Sequence, residues 1–149
     1  TEKDLASIEF NIGRSYRFQG EFRKAREFYD RAYDRMMNGK HKRIKDSARV
    51  MRNIGKVLQD QAKYGEALDL YQRALEIQET FLDANHPDIA NCLTSIGSVY
   101  DAREEYEQAL LYYRRALNIQ NDSLPLNHPD IANVLSHIGS TLKHQGRLN

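Results

Sequence analysis

Four glycines recur along the chain at a constant interval. Gly13, Gly55, Gly97 and Gly139 stand 42 residues apart, each directly after an isoleucine and three residues before a tyrosine or a leucine. Self-similarity at a fixed period of this size is typical of proteins built from stacked repeats. The interval therefore predicts a row of similar units and not one closed core.

The best-formed unit, residues 85–121, predicts two amphipathic helices joined by a short turn. Apolar and small residues recur at helical spacing, first at Leu93, Ile96, Gly97 and Tyr100, and then at Ala109, Leu110, Tyr113, Ala116 and Leu117. Two such helices cannot enclose a core alone, so each unit must stack on its neighbours. Across the chain the pattern predicts helices at about 4–18, 22–38, 47–61, 64–81, 88–103, 106–121 and 130–145, with turns inside the pairs at about 19–21, 61–63, 103–105 and 145–147.

The glycines lie in the middle of predicted helices, where glycine is unfavourable. A glycine there costs about 1 kcal/mol relative to alanine. Four recurrences in register therefore predict a contact between helices that leaves no room for a side chain. The second helices repeat alanine and tyrosine in a fixed order that suits such close packing, at Ala25, Ala67 and Ala109, at Tyr29, Tyr71 and Tyr113, and at Ala32, Ala74 and Ala116.

Aspartates at the same interval mark the beginnings of the first helices. Asp4, Asp46, Asp88 and Asp130 are expected just before each helix, where a carboxylate meets the positive end of the helix dipole. In the last two units Asn-His-Pro precedes the aspartate, and proline suits the first helical turn. The repetition of His86 and His128 in this phrase favours a structural role for both.

The composition is that of a helix-rich globular protein. Hydrophobic residues make up 40% of the 149 residues and charged residues 29%. No apolar run approaches the roughly 20 residues that cross a bilayer, and the first residues lack the order of a secretory signal, so we expect a cytoplasmic protein. The single cysteine, Cys92, excludes an internal disulfide and is expected to be a small, partly buried helix residue.

Charge is unevenly distributed along the chain. Residues 1–63 contain 16 Lys and Arg against 9 Asp and Glu, whereas residues 64–149 contain 6 against 12. The first part therefore carries +7 and the second −6. This asymmetry predicts a positive surface for an acidic partner, and the alternative is uneven solvation of outward faces.

The order Ile-Gly, Tyr or Leu, then Ala, Tyr and Ala resembles the tetratricopeptide repeat, and the 42-residue period with Asn-His-Pro-Asp resembles kinesin light chains and nephrocystin-3-like proteins. The connection at residues 36–46 departs from this pattern by lacking His-Pro. The resemblance implies an all-α, right-handed α-solenoid that forms a single array over residues 1–149, with repeats at about 4–45, 46–87, 88–129 and a partial repeat at 130–149.

The last predicted helix would carry an apolar stripe with no following helix to cover it, formed by Val134, Leu135, Ile138 and Leu142. We therefore expect a segment of a longer array, or a stripe that docks onto another molecule or a second copy.

No arrangement of residues predicts catalysis, a metal site or a cofactor. Gly-rich phosphate loops, Cys-x-x-Cys pairs, His-Glu-x-x-His helices and Gly-x-Ser-x-Gly turns do not occur in the sequence. His137 and His144 stand seven residues apart, which is wide for shared metal ligation without a third ligand. We expect a protein that is not an enzyme.

In the family that the chain resembles, the first helix of each pair lines a concave groove that binds peptides. Carried over residue by residue, this predicts a groove lined by Asn11, Arg14, Arg49, Arg52, Asn53, Lys56, Asn91, Ser95, Ser98, Asn133 and His137. Asn11 and Asn53 match the recurrent groove asparagine of the family, whereas Ser95 and His137 depart from it. Phe10 and Arg14 stand where chaperone-binding relatives have lysine and asparagine, so chaperone-tail binding is not expected.

These residues predict a scaffold that binds an acidic or phosphorylated peptide, since Arg and Lys engage carboxylates and phosphates. An alternative is a regulatory or assembly module of a larger, possibly enzymatic protein, which associates through its oppositely charged parts. Nucleic acid is a less favoured acidic partner, because only the basic run at residues 40–45 and the groove arginines would contact it.

Overall fold

A computed structural model describes residues 1–39 and 42–146, with only the backbone described at Glu2. Lys40 and His41 of the basic run, and Leu148 of the last repeat, lie outside the described residues. The described part is all-α, and its helices are α1 (Glu2–Phe18), α2 (Phe22–Asn38), α3 (Ile44–Asp60), α4 (Tyr64–Phe81), α5 (Pro87–Ala102), α6 (Tyr106–Ser123) and α7 (Pro129–His144). Each agrees with its predicted range to within three residues at either end.

The helix starts confirm the structural role of the two histidines and correct the position of the aspartates. His86 and His128 are N-cap residues whose Nδ1 atoms accept hydrogen bonds from the backbone N–H groups of Asp88 (3.0 Å) and Asp130 (3.1 Å). Pro87 and Pro129 open the helices. The prediction that the aspartates precede the helices is wrong, because all four lie inside the first turn. Their carboxylates still face the positive end of the dipole.

The turns within the helical pairs share one backbone geometry. In three of them, the second and third turn residues return hydrogen bonds to the last turn of the helix, as in Gly20 N–H to Arg17 O (3.0 Å) and Glu21 N–H to Tyr16 O (2.9 Å). The second residue of all four turns has a positive φ, namely Gly20, Ala62, Glu104 and Gly146. Alanine and glutamate therefore occupy a conformation that favours glycine.

The chain forms two compact units, residues 1–77 and 78–149, with the boundary inside α4. In the first unit the predicted tight contacts are present. A Cβ atom added at Gly13 would lie 2.8 Å from the Tyr29 ring, and one at Gly55 would lie 2.6 Å from the Tyr71 ring. Both rings are completely buried. Glycine is required at these positions because tyrosine fills the space that a side chain would occupy.

The second unit repeats this contact once, and the described residues leave the last glycine uncovered. A Cβ atom at Gly97 would lie 2.6 Å from the Tyr113 ring, whereas one at Gly139 would have no atom of the described residues within 4 Å. The tight contact is therefore confirmed at three of the four glycines. The predicted apolar stripe on α7 needs one correction: Leu135 is 51% exposed, but Val134 is only 1% exposed and belongs to the core of the unit.

Cys92 is more deeply buried than expected, with no exposed surface. Within the described residues, no helix is both long enough and apolar enough to span a bilayer.

Candidate functional site

In the first unit, α1 and α3 lie side by side and present the residues predicted for the groove. Asn11, Arg14 and Arg49 are exposed, Arg52 and Lys56 are half-buried, and Asn53 is buried. The Arg49 guanidinium lies over the Phe10 ring, 5.0 Å from its centroid, so a side chain of α3 covers a residue of α1. We call the surface formed by Asn11, Arg14, Arg49, Arg52 and Lys56 the α1–α3 face.

Some arginines near the α1–α3 face are neutralised and others are not. Arg17 forms a bidentate ion pair with Asp60 that links the two helices, with Nε–Oδ2 at 2.8 Å and Nη2–Oδ1 at 3.4 Å. Among the described residues, no carboxylate pairs with Arg14, Arg49 or Arg52. The Nε–H of Arg52 is buried and has no hydrogen-bond partner there. The face therefore keeps a net positive charge and an unsatisfied donor.

The asparagine that best matches the family pattern is engaged by its own helix. Asn53 is 6% exposed, and its Nδ2 donates to the backbone carbonyl of Arg49 at 2.8 Å. One of its two amide hydrogens is thus committed within α3. Asn11, which is exposed, is the better placed of the two to contact a ligand.

A buried tyrosine hydroxyl near this face was not foreseen from the sequence. The Tyr29 hydroxyl has no hydrogen-bond partner among the described residues. Burial raises the pKa of Tyr29, while the charges of Arg17 and Arg14 act in the opposite direction. In the next repeat, Tyr71 donates to Gln59 Oε1 at 2.9 Å. The sequence contains the reason for this difference. Arg17 stands 42 residues before Gln59, and an arginine at that position cannot accept the hydrogen bond that Gln59 accepts from Tyr71.

In the second unit, both predicted groove serines of α5 are hydrogen-bonded to their own helix. Ser95 is 8% exposed and donates to Asn91 O at 3.1 Å, and Ser98 donates to Ser95 O at 2.8 Å. Asn91 is half-buried. These hydroxyls are bonded to their own helix, so this surface offers fewer polar groups than its sequence suggests.

On α7, Asn133 is exposed, and the His137 ring stacks on the Tyr113 ring with centroids 5.3 Å apart and planes 19° apart. Burial lowers the pKa of His137, and the negative charge of Asp101 partly opposes this effect. His137 therefore packs as an aromatic ring against α6.

A polar cluster that joins α5 to α7 was also missed. The Thr141 hydroxyl donates to Asp101 Oδ1 at 3.0 Å, and His144 Nδ1 lies 3.4 Å from the same oxygen. Burial raises the pKa of the Tyr113 hydroxyl well above its usual value, and the charge of Asp101 adds to this shift. Asp101 and His144 are 43 residues apart, and the sequence does not show that they contact each other.

Nothing in the described residues groups three or more metal-ligating side chains of the His, Cys, Asp and Glu types.

Comparisons with known proteins agree with these repeats. A family model described as "Tetratricopeptide repeat" matches residues 46–122, and a second model with the same description matches residues 7–35. No curated protein matches the chain.

Solved structures share the fold at low sequence identity. BtubC (BKLC) from P. vanneervenii is 20% identical with a TM-score of 0.84, over 99% of this chain and 59% of that one. A putative kinesin light chain from Podosopora anserina with nearly identical TPR-like repeats is 17% identical with a TM-score of 0.82, over 99% and 69% of the two chains. Aspartyl phosphate phosphatase F from Bacillus subtilis is 17% identical with a TM-score of 0.87, over 99% and 37%. The chain thus spans about three fifths of the length of BtubC.

The first family model alone matches more than half of the chain. The fold is that of an all-α tetratricopeptide repeat solenoid, with structural neighbours among kinesin light chain repeats. The chain therefore belongs to the tetratricopeptide repeat family.

Proposed function

We propose that the chain is an interaction scaffold whose α1–α3 face binds an acidic or phosphorylated peptide segment. Tetratricopeptide repeats and the neighbouring structures support protein binding in general. The observation that carries the finer proposal is the set of three arginines, Arg14, Arg49 and Arg52, without a carboxylate partner among the described residues. An intracellular peptide would be met in the cytoplasm, where we expect the protein to act.

The chemistry of the face suits an anionic group on an extended chain. A guanidinium presents several N–H donors in a plane and binds a carboxylate or a phosphate through two hydrogen bonds. Arg49 is held over Phe10, which reduces the conformational freedom it would lose on binding. Asn11 can donate to a peptide carbonyl and accept from a peptide N–H.

The ion pair between Arg17 and Asp60 limits how far the anion-binding part of the α1–α3 face extends. Because Asp60 already neutralises Arg17, an incoming anion gains little there. The uncompensated charge lies at Arg14 in the second half of α1 and at Arg49 and Arg52 toward the middle of α3, and an acidic side chain of the ligand is expected to bind there.

A charge-reversal experiment tests this proposal. Fluorescence anisotropy would follow labelled peptides that contain glutamate or phosphoserine, with the wild-type chain and with Arg14→Glu/Arg49→Glu. Both arginines are exposed, so the variant should fold, and circular dichroism would verify this. We expect a loss of affinity of at least about tenfold, since a charge-assisted hydrogen bond contributes about 1.5–3 kcal/mol.

The matched control is Arg23→Glu/Lys42→Glu, which makes the same change in charge at exposed positions away from the α1–α3 face. Binding should survive in the control and should weaken as salt is raised. Equal losses in the two variants would show that only the net charge matters. Unchanged binding in Arg14→Glu/Arg49→Glu would remove the face from the proposal.

The charge asymmetry favours a second candidate function, an assembly module of a larger, possibly enzymatic protein that self-associates. Residues 1–63 and 64–149 carry opposite net charges, which can attract the opposite parts of another copy. Light scattering at low and raised salt would test this. Mass that falls toward the monomer as salt increases supports it, whereas a salt-independent monomer excludes it.

A further inference from the structure

A small cavity in the first unit is lined by residues of α2, α3 and α4, and we call it the α2–α4 cavity. Its deepest lining residues are Met51 and Ile54 of α3, whose side chains are 4% and 5% exposed. Tyr33 of α2 and Leu70 of α4, both half-buried, add to this apolar lining. The cavity therefore offers a mainly apolar interior that a ligand can reach from solvent.

A departure from the repeat pattern in α2 explains why this space is open. Arg26 stands where the next two repeats have leucines, Leu68 and Leu110, and Leu110 is only 1% exposed. The guanidinium of Arg26 pairs instead with Asp30 one turn along α2, with Nε–Oδ1 at 3.0 Å. Helix α2 contains no leucine that could replace it. The space beside Met51 is thus left without the apolar side chain that the pattern would supply.

The volume of the α2–α4 cavity restricts the size of its ligand. At about 230 Å³ it is smaller than the pockets of roughly 300–1,000 Å³ that hold drug-sized molecules. It is larger than an apolar cavity of about 150 Å³, which holds one benzene molecule. One aromatic ring with a short chain attached fits between these limits, and such a ring can pack against the ring of Tyr33.

The exposed edge of the cavity carries a net positive charge. Asp30 is already paired with Arg26. Arg73 of α4 is exposed, and no carboxylate pairs with it in the part of the chain that the structure describes. A guanidinium without a partner favours a carboxylate on the ligand. The charged end of the ligand is then placed at the edge of the cavity, and its apolar end inside.

We propose that the α2–α4 cavity binds a small aromatic carboxylate, whose ring packs on Met51 and Ile54 and whose carboxylate pairs with Arg73. None of the residues that line this cavity belongs to the α1–α3 face. The two proposals therefore do not depend on each other.

Phenylpropionate is a suitable probe, because it joins one ring to a carboxylate through two methylene groups. Amide-proton NMR of the whole chain would follow a titration with this compound. We expect saturable shifts at the amides of Met51, Ile54 and Leu70, with a dissociation constant of about 1 mM or lower. Phenylpropanamide lacks the charge and should bind about fivefold more weakly. Propionate lacks the ring and should bind at least about tenfold more weakly.

Two variants test the two halves of the site. Arg26→Leu introduces the leucine of the other repeats, which should fill the cavity, abolish binding of phenylpropionate and raise the midpoint of thermal unfolding. Arg73→Gln should weaken phenylpropionate about fivefold and leave phenylpropanamide unchanged. The matched control is Arg31→Leu, which removes another ion pair of α2, with Glu27, outside the cavity. This control should bind phenylpropionate as the wild type does.

The same titrations can overturn the proposal. Absence of saturable shifts at Met51 and Ile54 would mean that the cavity binds no ligand of this class. Unchanged binding by Arg26→Leu would place the compound elsewhere, and equal affinity for the acid and the amide would remove Arg73 from the site. Shifts that centre on α1 and α3 and disappear in Arg14→Glu/Arg49→Glu would show that the α1–α3 face, and not this cavity, binds the carboxylate.

Discussion

Helices α5 and α7 have nearly the same sequence pattern and very different surroundings. Both begin with Pro-Asp-Ile-Ala-Asn after a histidine cap, and both carry Ile-Gly in the middle. Leu93 and Ile96 of α5 have no exposed surface, whereas Leu135 of α7 is 51% exposed and Ile138 is half-buried. The difference comes from α6, which covers one side of α5, while no described helix covers the same side of α7.

A repeat pattern therefore specifies which face of a helix is apolar, but not whether that face is covered. Another side of α7 is covered: Val134 is 1% exposed, and α6 packs against α7 as well as against α5. The energetic value of a repeat residue depends on the helix it meets. Matched substitutions in α5 and α7 can measure this dependence.

The largest difference is expected for the leucines. Leu93→Ala should lower the free energy of unfolding by about 2–5 kcal/mol, because it removes a completely buried side chain and leaves a cavity. Leu135→Ala should change it by less than about 1 kcal/mol, since half of that side chain is already in water. Urea unfolding followed by circular dichroism would compare the two. Similar losses would mean that the face of α7 is covered in solution.

The glycines should respond with opposite signs. Gly97→Ala places a Cβ 2.6 Å from the Tyr113 ring and should destabilise the chain by about 1–3 kcal/mol. Gly139→Ala meets no atom of the described part of the chain, so its better helix propensity should stabilise the chain by up to about 1 kcal/mol. The midpoint of thermal unfolding gives the sign directly. A higher midpoint for Gly97→Ala would contradict the tight packing at this position.

The turns after the two helices provide a smaller comparison. Glu104, after α5, has φ 62°, and Gly146, after α7, has φ 74°. Glu104→Gly should stabilise the chain by about 1 kcal/mol, because it relieves a left-handed conformation that costs other residues about 1–2 kcal/mol. Gly146→Ala should destabilise by a similar amount. If Glu104→Gly proves neutral, the entropy that glycine loses on folding has cancelled the relief of strain.

Features that depend on a residue and its own helix were accessible from the sequence. The 42-residue register predicted seven helices close to their observed ends, and the turns. Features that depend on two helices meeting were less accessible. The tight contacts of Gly13, Gly55 and Gly97 are the exception, because a glycine repeated in the middle of a helix is itself a sign of close packing. The pairing of Arg17 with Asp60, and the contact of Asp101 with Thr141 and His144, arise only when helices a repeat apart lie side by side.

The candidate site shows the same division. Resemblance to the family predicted that the arginines of α1 and α3 share a face. The structure shows that α1 and α3 are in contact and that Arg49 lies over Phe10. The resemblance did not predict that Asn53 and Ser95 would donate to backbone carbonyls of their own helices. A side chain that faces a ligand and one that donates to the carbonyl four residues earlier occupy the same position in the repeat, so the sequence does not distinguish them. The binding role of these residues stays a prediction.

The smallest effect that separates α5 from α7 is a dependence on pH at His137, whose counterpart in α5 is Ser95. Burial against Tyr113 lowers the pKa of His137, with Asp101 opposing, so the unfolded chain binds a proton at higher pH than the folded chain does. Stability conferred by neutral His137 is thus complete above the ordinary histidine pKa and is lost as pH falls through the lowered pKa.

Urea midpoints measured from pH 8 down to pH 5 should decline less in His137→Ser than in the wild type. Ser136→Ala, an exposed neighbour, should keep the full decline. Because both proteins keep the other histidines, only the difference between the two slopes reports on His137. Identical slopes would mean that the stacked ring is as accessible to protons as it is in the unfolded chain.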